Sequence, residues 1–164
     1  MKNRGLTLLE LMIALAVLAI VASLTVPSFG SIAERTRLKT AAETLATDMA
    51  EARFEAAQRG QPLHIDYATG AGWCWSVATA PGCSCGKAQA QAQCQLKTVR
   101  GAEHAGIELL EAHAARFEPT GPVDGSGSVL FQSSRGERLR VDLSPLGRAS
   151  ICTPAKAVPG YPAC

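Results

Sequence analysis

The chain has 164 residues and a formal net charge of +2, and it is 47% hydrophobic but only 5% aromatic. That length leaves room for one small domain beside an anchor. The near-neutral balance excludes a nucleic-acid binder acting through its whole surface, though not a local basic patch, and the scarcity of aromatics predicts a small-residue, aliphatic core.

The first element is apolar. Residues 6–26 form a 21-residue run behind Lys2 and Arg4, which as a helix would rise ~31 Å and match a bilayer core. The basic leader would stay cytoplasmic and place the rest outside. A cleaved secretory signal would show a short apolar core and then a small-residue cleavage site. Here Thr7 and Glu10 come early and no break follows. Glu10 is the anomaly, because a charged residue at mid-helix in hydrocarbon costs on the order of 2.5–3.5 kcal/mol on insertion scales. It is either a snorkelling glutamate near the end of an ordinary anchor or a group awaiting a counter-charge.

The stretch RGLTLLELMI, residues 4–13, resembles the class III leader of type IV pilins and pseudopilins: a short basic leader, a glycine, and a glutamate five residues later. The resemblance implies cleavage after Gly5 by a prepilin peptidase and N-methylation of the new terminus at Leu6, a position more often Phe in that family. Cleavage would create a positive amine one helical turn before Glu10, and a helix N-terminus itself favours a carboxylate. The resemblance further implies that Glu10 meets the amine of a neighbouring subunit in a filament.

Pro27 removes a helical hydrogen bond and predicts a kink. Beyond it Leu38, Ala42, Leu45, Met49, Ala52 and Ala56 recur at four- and three-residue steps, one apolar stripe on a helix. Arg35, Arg37, Lys39, Glu43, Asp48, Glu51 and Arg53 are expected on its other faces. Gly60 and Pro62 stop it, giving a single helix of about fifty residues. A long coiled coil is the alternative, but the stripe is short and mostly alanine.

After Pro62 the period changes to two. PLHIDYA alternates Leu63, Ile65 and Tyr67 against His64 and Asp66, and WCWSVAT puts Trp73, Trp75 and Val77 on one side. QLKTV, GIELL, ARFEP, GSVLFQS, GERLRVDLS and GRASIC follow as short strands between Gly, Pro, Ser and Asp. GIELLEAH has a short helix as its alternative, and KAQAQAQ stays unassigned. The predicted fold is α+β: a long N-terminal helix, hydrophobic in its first half, packed on an antiparallel β-rich head. The expected division is 1–5 leader, 6–29 membrane or filament-core helix, 30–60 amphipathic continuation and 61–164 head.

All six cysteines lie beyond the apolar run. Cys74, Cys83, Cys85 and Cys94 could hold zinc, but the two C-x2-C pairs of a zinc ribbon are missing. Disulfides in an oxidising compartment are the reading preferred here. Cys83 and Cys85 each pair with Cys74 or Cys94, in an order left open, and Cys152 and Cys164 form the third pair. No metal and no cofactor are expected. His64, His104 and His113 are scattered without metalloprotease spacing. Ser133–Ser134 has no nucleophile elbow. These features argue against an enzyme.

In the last hairpin Leu139, Val141 and Leu143 share one face, and Arg138, Arg140 and Asp142 the other. A three-residue loop, Pro145-Leu146-Gly147, aligns Arg140 with Cys152 and Asp142 with Ser150, leaving Arg148 free to pair diagonally with Asp142. A β-rich head ending in a Gly-Arg pair and a cysteine-closed tail resembles the FimT/GspH group, minor pilins of type IV pili and the H pseudopilin of type II secretion. Some members bind DNA through a basic G-R-x-R tail. Gly147 and Arg148 match it, whereas Ser150 stands in place of the second arginine. The candidate phosphate-contacting residues are Arg138, Arg140, Arg148 and Lys156.

The resemblance implies a minor pilin stored as a single-pass protein of the bacterial inner membrane, its head in the periplasm, and later built into a pilus. The alternative is a pseudopilin of a type II secretion system. The implied partners are other pilins or pseudopilins, the prepilin peptidase, an inner-membrane assembly platform and, through the basic tail, double-stranded DNA.

Overall fold

A computed structural model describes residues 7–70, 72–83, 85–86 and 94–164, without the side chains of 24–29. One helix, α1 (Leu8–Arg59), precedes eight strands: β1 (Leu63–Ala68), β2 (Cys74–Ala78), β3 (Gln95–Arg100), β4 (Ile107–Glu111), β5 (Ala115–Phe117), β6 (Ser128–Ser133), β7 (Arg138–Leu143) and β8 (Ala149–Cys152). The chain divides into two compact units, Met1–Ala33 and Glu34–Cys164.

In the first unit the described apolar side chains lie open. Leu8, Leu9, Met12, Leu15, Leu18 and Ile20 are each more than half exposed. Among the described residues no helix is long and apolar enough to cross a membrane. Leu6 and the side chains of 24–29, part of the predicted anchor, lie outside that set. Pro27 falls within α1, and the predicted kink depends on residues whose side chains are not described.

The second unit joins the amphipathic end of α1 to two antiparallel four-stranded sheets, ordered β3-β2-β1-β5 and β4-β6-β7-β8. The predicted stripe, Leu38, Ala42, Leu45, Met49, Ala52 and Ala56, is buried. Its alanines keep the helix surface flat, and the sheets supply the bulk. Trp75, Phe117 and Phe131 are the largest fully buried side chains. Phe131 of the second sheet meets Trp73 and Trp75 edge-on, with centroids 5.7 and 5.9 Å apart. The core is therefore aromatic at its centre, contrary to the expectation from composition: Trp73, Trp75, Phe117 and Phe131 are buried there, whereas Phe54 is exposed.

Alternation holds where only one sheet face is covered, as in β7, with Leu139, Val141 and Leu143 in and Arg138 out. It fails in β2, whose five residues are all buried. There the cysteine loop covers the outer face: Ser76 Oγ donates to the Cys83 carbonyl (2.9 Å) and Cys74 is bridged to Cys85. The GIELL segment is strand β4, paired with β6, which settles the alternative of a short helix. Gly60 ends α1 with φ +63°, a left-handed conformation that glycine adopts without a Cβ clash. KAQAQAQ lies outside the described residues.

Candidate functional site

Gly5 and Leu6, the expected cleavage and methylation positions, lie outside the described residues. Just after them Thr7 caps α1. Its Oγ1 accepts from the Glu10 N–H (3.3 Å) and its carbonyl from the Leu11 N–H (3.2 Å). Thr7-x-x-Glu10 thus has the spacing of a helix-capping box, and Glu10 stands exposed in the first turn, where the helix dipole favours an acid. The helix end alone gives this carboxylate a favourable position.

The cysteines are joined as three disulfides, Cys74–Cys85, Cys83–Cys94 and Cys152–Cys164. The first two cross, so the loop between β2 and β3 is held twice. The atoms of Asp142, Cys152 and Cys164 lie within 4.8 Å of one another, a spacing that metals use, but the two sulfurs are bonded to each other and offer no thiolate.

The last hairpin has the expected register, Arg140 opposite Cys152 and Asp142 opposite Ser150. Ser144 and Arg148 close its three-residue loop, the Ser144 N–H donating to the Arg148 carbonyl (3.0 Å). Gly147 has φ +74°, and a Cβ there would come 2.7 Å from Arg53 Cδ. The four candidate basic residues do not act alike. Arg138 donates to Gln132 Oε1 (2.6 Å), and Arg140 Nε lies 2.9 Å from Asp142 Oδ1. Arg140, two residues along the same strand face, engages the Asp142 carboxylate, and Arg148, which the register leaves diagonal to Asp142, takes part in no ion pair among the described residues. Arg148 and Lys156 are exposed.

Lys156 rides on a C-terminal strap. Within the loop that the Cys152–Cys164 bridge closes, Thr153 pairs in parallel with Ala163, and Val158 is buried. Lys39 Nζ donates to the Pro159 carbonyl (2.5 Å) and lies 5.4 Å from the centre of the Tyr161 ring. The Tyr161 hydroxyl donates to Glu43, and burial and that carboxylate push the phenol up to about 12. The expected outward faces of α1 therefore carry the strap.

Asp48 corrects the helical reading most sharply. Expected on an outer face, it is fully buried. It stands three residues after Leu45 and four before Ala52, so its spacing already placed it on the stripe. Trp75 Nε1 donates to Oδ2 (2.7 Å), and Lys97 Nζ on β3 lies 2.6 Å from Oδ1. His104 is also buried, its ring stacked on Trp73 and Trp75 at 5.9 and 6.5 Å. Desolvation holds its pKa below the usual histidine range, against a weaker opposing pull from Glu103.

The family model for type II transport protein GspH matches residues 41–147, well over half of the chain. The chain belongs to the GspH family. A second model, the prokaryotic N-terminal methylation motif, matches residues 1–26. No curated protein and no solved structure matches. The GspH match begins on the buried stripe of α1 and ends at Gly147, so it spans both sheets up to the last turn. Arg148, Lys156 and the Cys152–Cys164 strap of this GspH-family chain fall beyond it. The two matches together make it a protein of the pilin and pseudopilin type, with an N-terminal methylation segment and a GspH head.

Proposed function

We propose that the protein is a minor pilin, cleaved after Gly5, methylated at Leu6 and built into a type IV pilus through its N-terminal helix. The observation that carries this reading is the conjunction in one chain of a methylation motif over 1–26 and a GspH match over 41–147. The open apolar surface from Leu8 to Ile20 supports it, since that surface finds no cover among the described residues of its own unit. In this reading residues 6–29 anchor the subunit in the inner membrane with the head periplasmic, and Pro27 loosens the helix where it leaves the bilayer. The division at 1–5, 6–29, 30–60 and 61–164 follows. Glu10, already favoured by the helix terminus, meets the new Leu6 amine of a neighbour. The subunit's work is assembly and priming with other pilins on a membrane platform, without covalent chemistry of its own. The same properties suit a type II secretion pseudopilin, which differs in its partners.

N-terminal sequencing of protein recovered from cells is the test. The expected mature terminus is methylated Leu6, with Glu10→Ala lost from filaments. A mature chain that still begins at Met1 overturns the proposal. Co-purification with pilus or with secretion components separates the two machines.

A second reading, contact with duplex DNA, is favoured by Arg148 and Lys156, which are exposed and take part in no ion pair among the described residues. Such contacts would be sequence-independent and salt-sensitive. The full-length protein in detergent should retard duplex DNA at low salt, and Arg148→Ala with Lys156→Ala should abolish the shift. Unchanged mobility with the unmutated protein removes this reading.

A further inference from the structure

The outer face of the second sheet carries an ordered pattern of charge. In β6 and β7 every second side chain, Val129, Phe131, Leu139 and Val141 among them, turns into the core, and those between turn outward. Register lines up the outward residues in rows across three strands. Glu108 of β4 stands opposite Gln132 of β6, which stands opposite Arg138 of β7. In the next row Glu111 stands opposite Leu130, and Leu130 opposite Arg140. Each row runs from an acid through a neutral residue to a base, and both run the same way.

These side chains themselves reach solvent. Glu108, Glu111 and Arg138 are exposed, and Leu130, Gln132 and Arg140 are half-buried. Leu110, between the two acids, is 38% exposed. Glu108, Glu111 and Arg138 take part in no ion pair among the described residues. Arg138 is steadied by Gln132 and Arg140 by Asp142, both through Nε. A guanidinium has five N–H donors, so each arginine keeps some to offer. The acid and the base of one row stand two strand spacings apart, ~10 Å, and do not meet.

The pattern is its own complement. When a second copy is turned over about an axis along β6, the two sheets lie face to face with their strands aligned. The acid column of each copy then lies over the base column of the other. Glu108 meets the partner's Arg138, Glu111 meets the partner's Arg140, and Leu130 meets the partner's Leu130. An axis across the strands would instead set acid on acid. We propose that this face docks a second copy of the chain, head to head, in a two-fold contact along β6. Arg140 already serves Asp142, so Glu108 with the partner's Arg138 is the leading pair. A polyanion fits less well, because Glu108 and Glu111 repel phosphate on the same face. Three short strands cover less than a standard stable interface, and the contact is weak and reversible. It uses neither the leader nor the apolar run, and it stands or falls apart from the filament reading.

The test places a thiol on that axis in the full-length protein in detergent. Ser128→Cys lies two positions before Leu130 on β6, and Gln58→Cys, exposed on α1, is the control. Sheets packed face to face lie ~10 Å apart, within reach of a short bismaleimide. Cross-linked dimer should form from Ser128→Cys and not from Gln58→Cys. In the Ser128→Cys background, Glu108→Arg with Glu111→Arg should lower the yield at least about fivefold, because each reversal acts twice in a two-fold contact. Arg138→Glu should do the same. Mixing these two reversed proteins should restore the dimer, since a basic face then meets an acidic one, and the recovery shows that both are folded. The proposal is overturned if Ser128→Cys gives no dimer, if charge reversal leaves the yield unchanged, or if mixing restores nothing. Equal cross-linking from Gln58→Cys overturns it in favour of association through the apolar run. Loss of DNA retardation in Arg138→Glu with cross-linking intact overturns it in favour of phosphate.

Discussion

Lys97 Nζ lies 2.6 Å from Asp48 Oδ1, so a half-exposed ammonium on an edge strand neutralises a carboxylate that has no exposure at all. It is the one partner of Oδ1 among the described residues, while Trp75 serves Oδ2. Removing one member of such a pair strands the other charge. Lys97→Met should therefore destabilise the protein by about 1–3 kcal/mol, reduced from fully buried cases because Lys97 reaches water. Asp48→Asn in that background should recover part of the loss, since the amide oxygen still accepts from Trp75. Denaturant melts followed by tryptophan fluorescence would show this. If the double variant is less stable than Lys97→Met alone, the buried charge is not the cause.

His104 makes stability depend on pH. Burial lowers its pKa in the fold, so as pH falls below the unfolded value of about 6.5 the unfolded chain takes up a proton that the folded one refuses. Stability is complete above that pH and declines as pH drops toward the lower folded pKa, by at most about 1.4 kcal/mol per pH unit. His64, lowered chiefly by burial, adds to the same window. Melting temperature measured from pH 7.5 to 5 should fall, and His104→Phe should flatten the fall. An unchanged slope in that variant would assign it elsewhere.

Gly101 is held by contact and not by its backbone angle. A Cβ there would sit 2.7 Å from the Trp73 indole, and the Gly101 N–H donates to the Trp73 carbonyl (2.8 Å). Gly101→Ala should push the indole off Ile107 and cost about 1–3 kcal/mol. Near-ultraviolet circular dichroism should lose Trp73 signal in parallel. A variant with native spectrum and stability would mean that the turn yields and the indole does not.

The tail should loosen when its bridge is removed. Cys152 and Cys164 are the only covalent closure of the strap, and replacing both with Ala should cost about 2–4 kcal/mol. Hydrogen exchange should rise over 153–163, where the bonds between Thr153, Pro162 and Cys164 lie. Peptide mapping without reduction should recover Cys74–Cys85, Cys83–Cys94 and Cys152–Cys164, and a Cys74–Cys83 or Cys85–Cys94 fragment would contradict the fold of that loop.

Local order was plain in the residues. The three- and four-residue spacing of Leu38 to Ala56, the stop at Gly60, the strands and the three-residue turn ending in Gly147 depend on neighbours a few positions away, and period and turn chemistry express such dependence directly. The leader motif is equally local. Spacing also held the clue to Asp48, but its charge argued for water, and only Lys97 and Trp75, which arrive from strands far along the chain, make its burial tolerable. The choice between Cys74–Cys85 and its alternatives and the packing of Trp73, Trp75 and Phe131 against one another are likewise tertiary. Each depends on which distant segments the two sheets bring together, and one-dimensional periodicity carries no information about that.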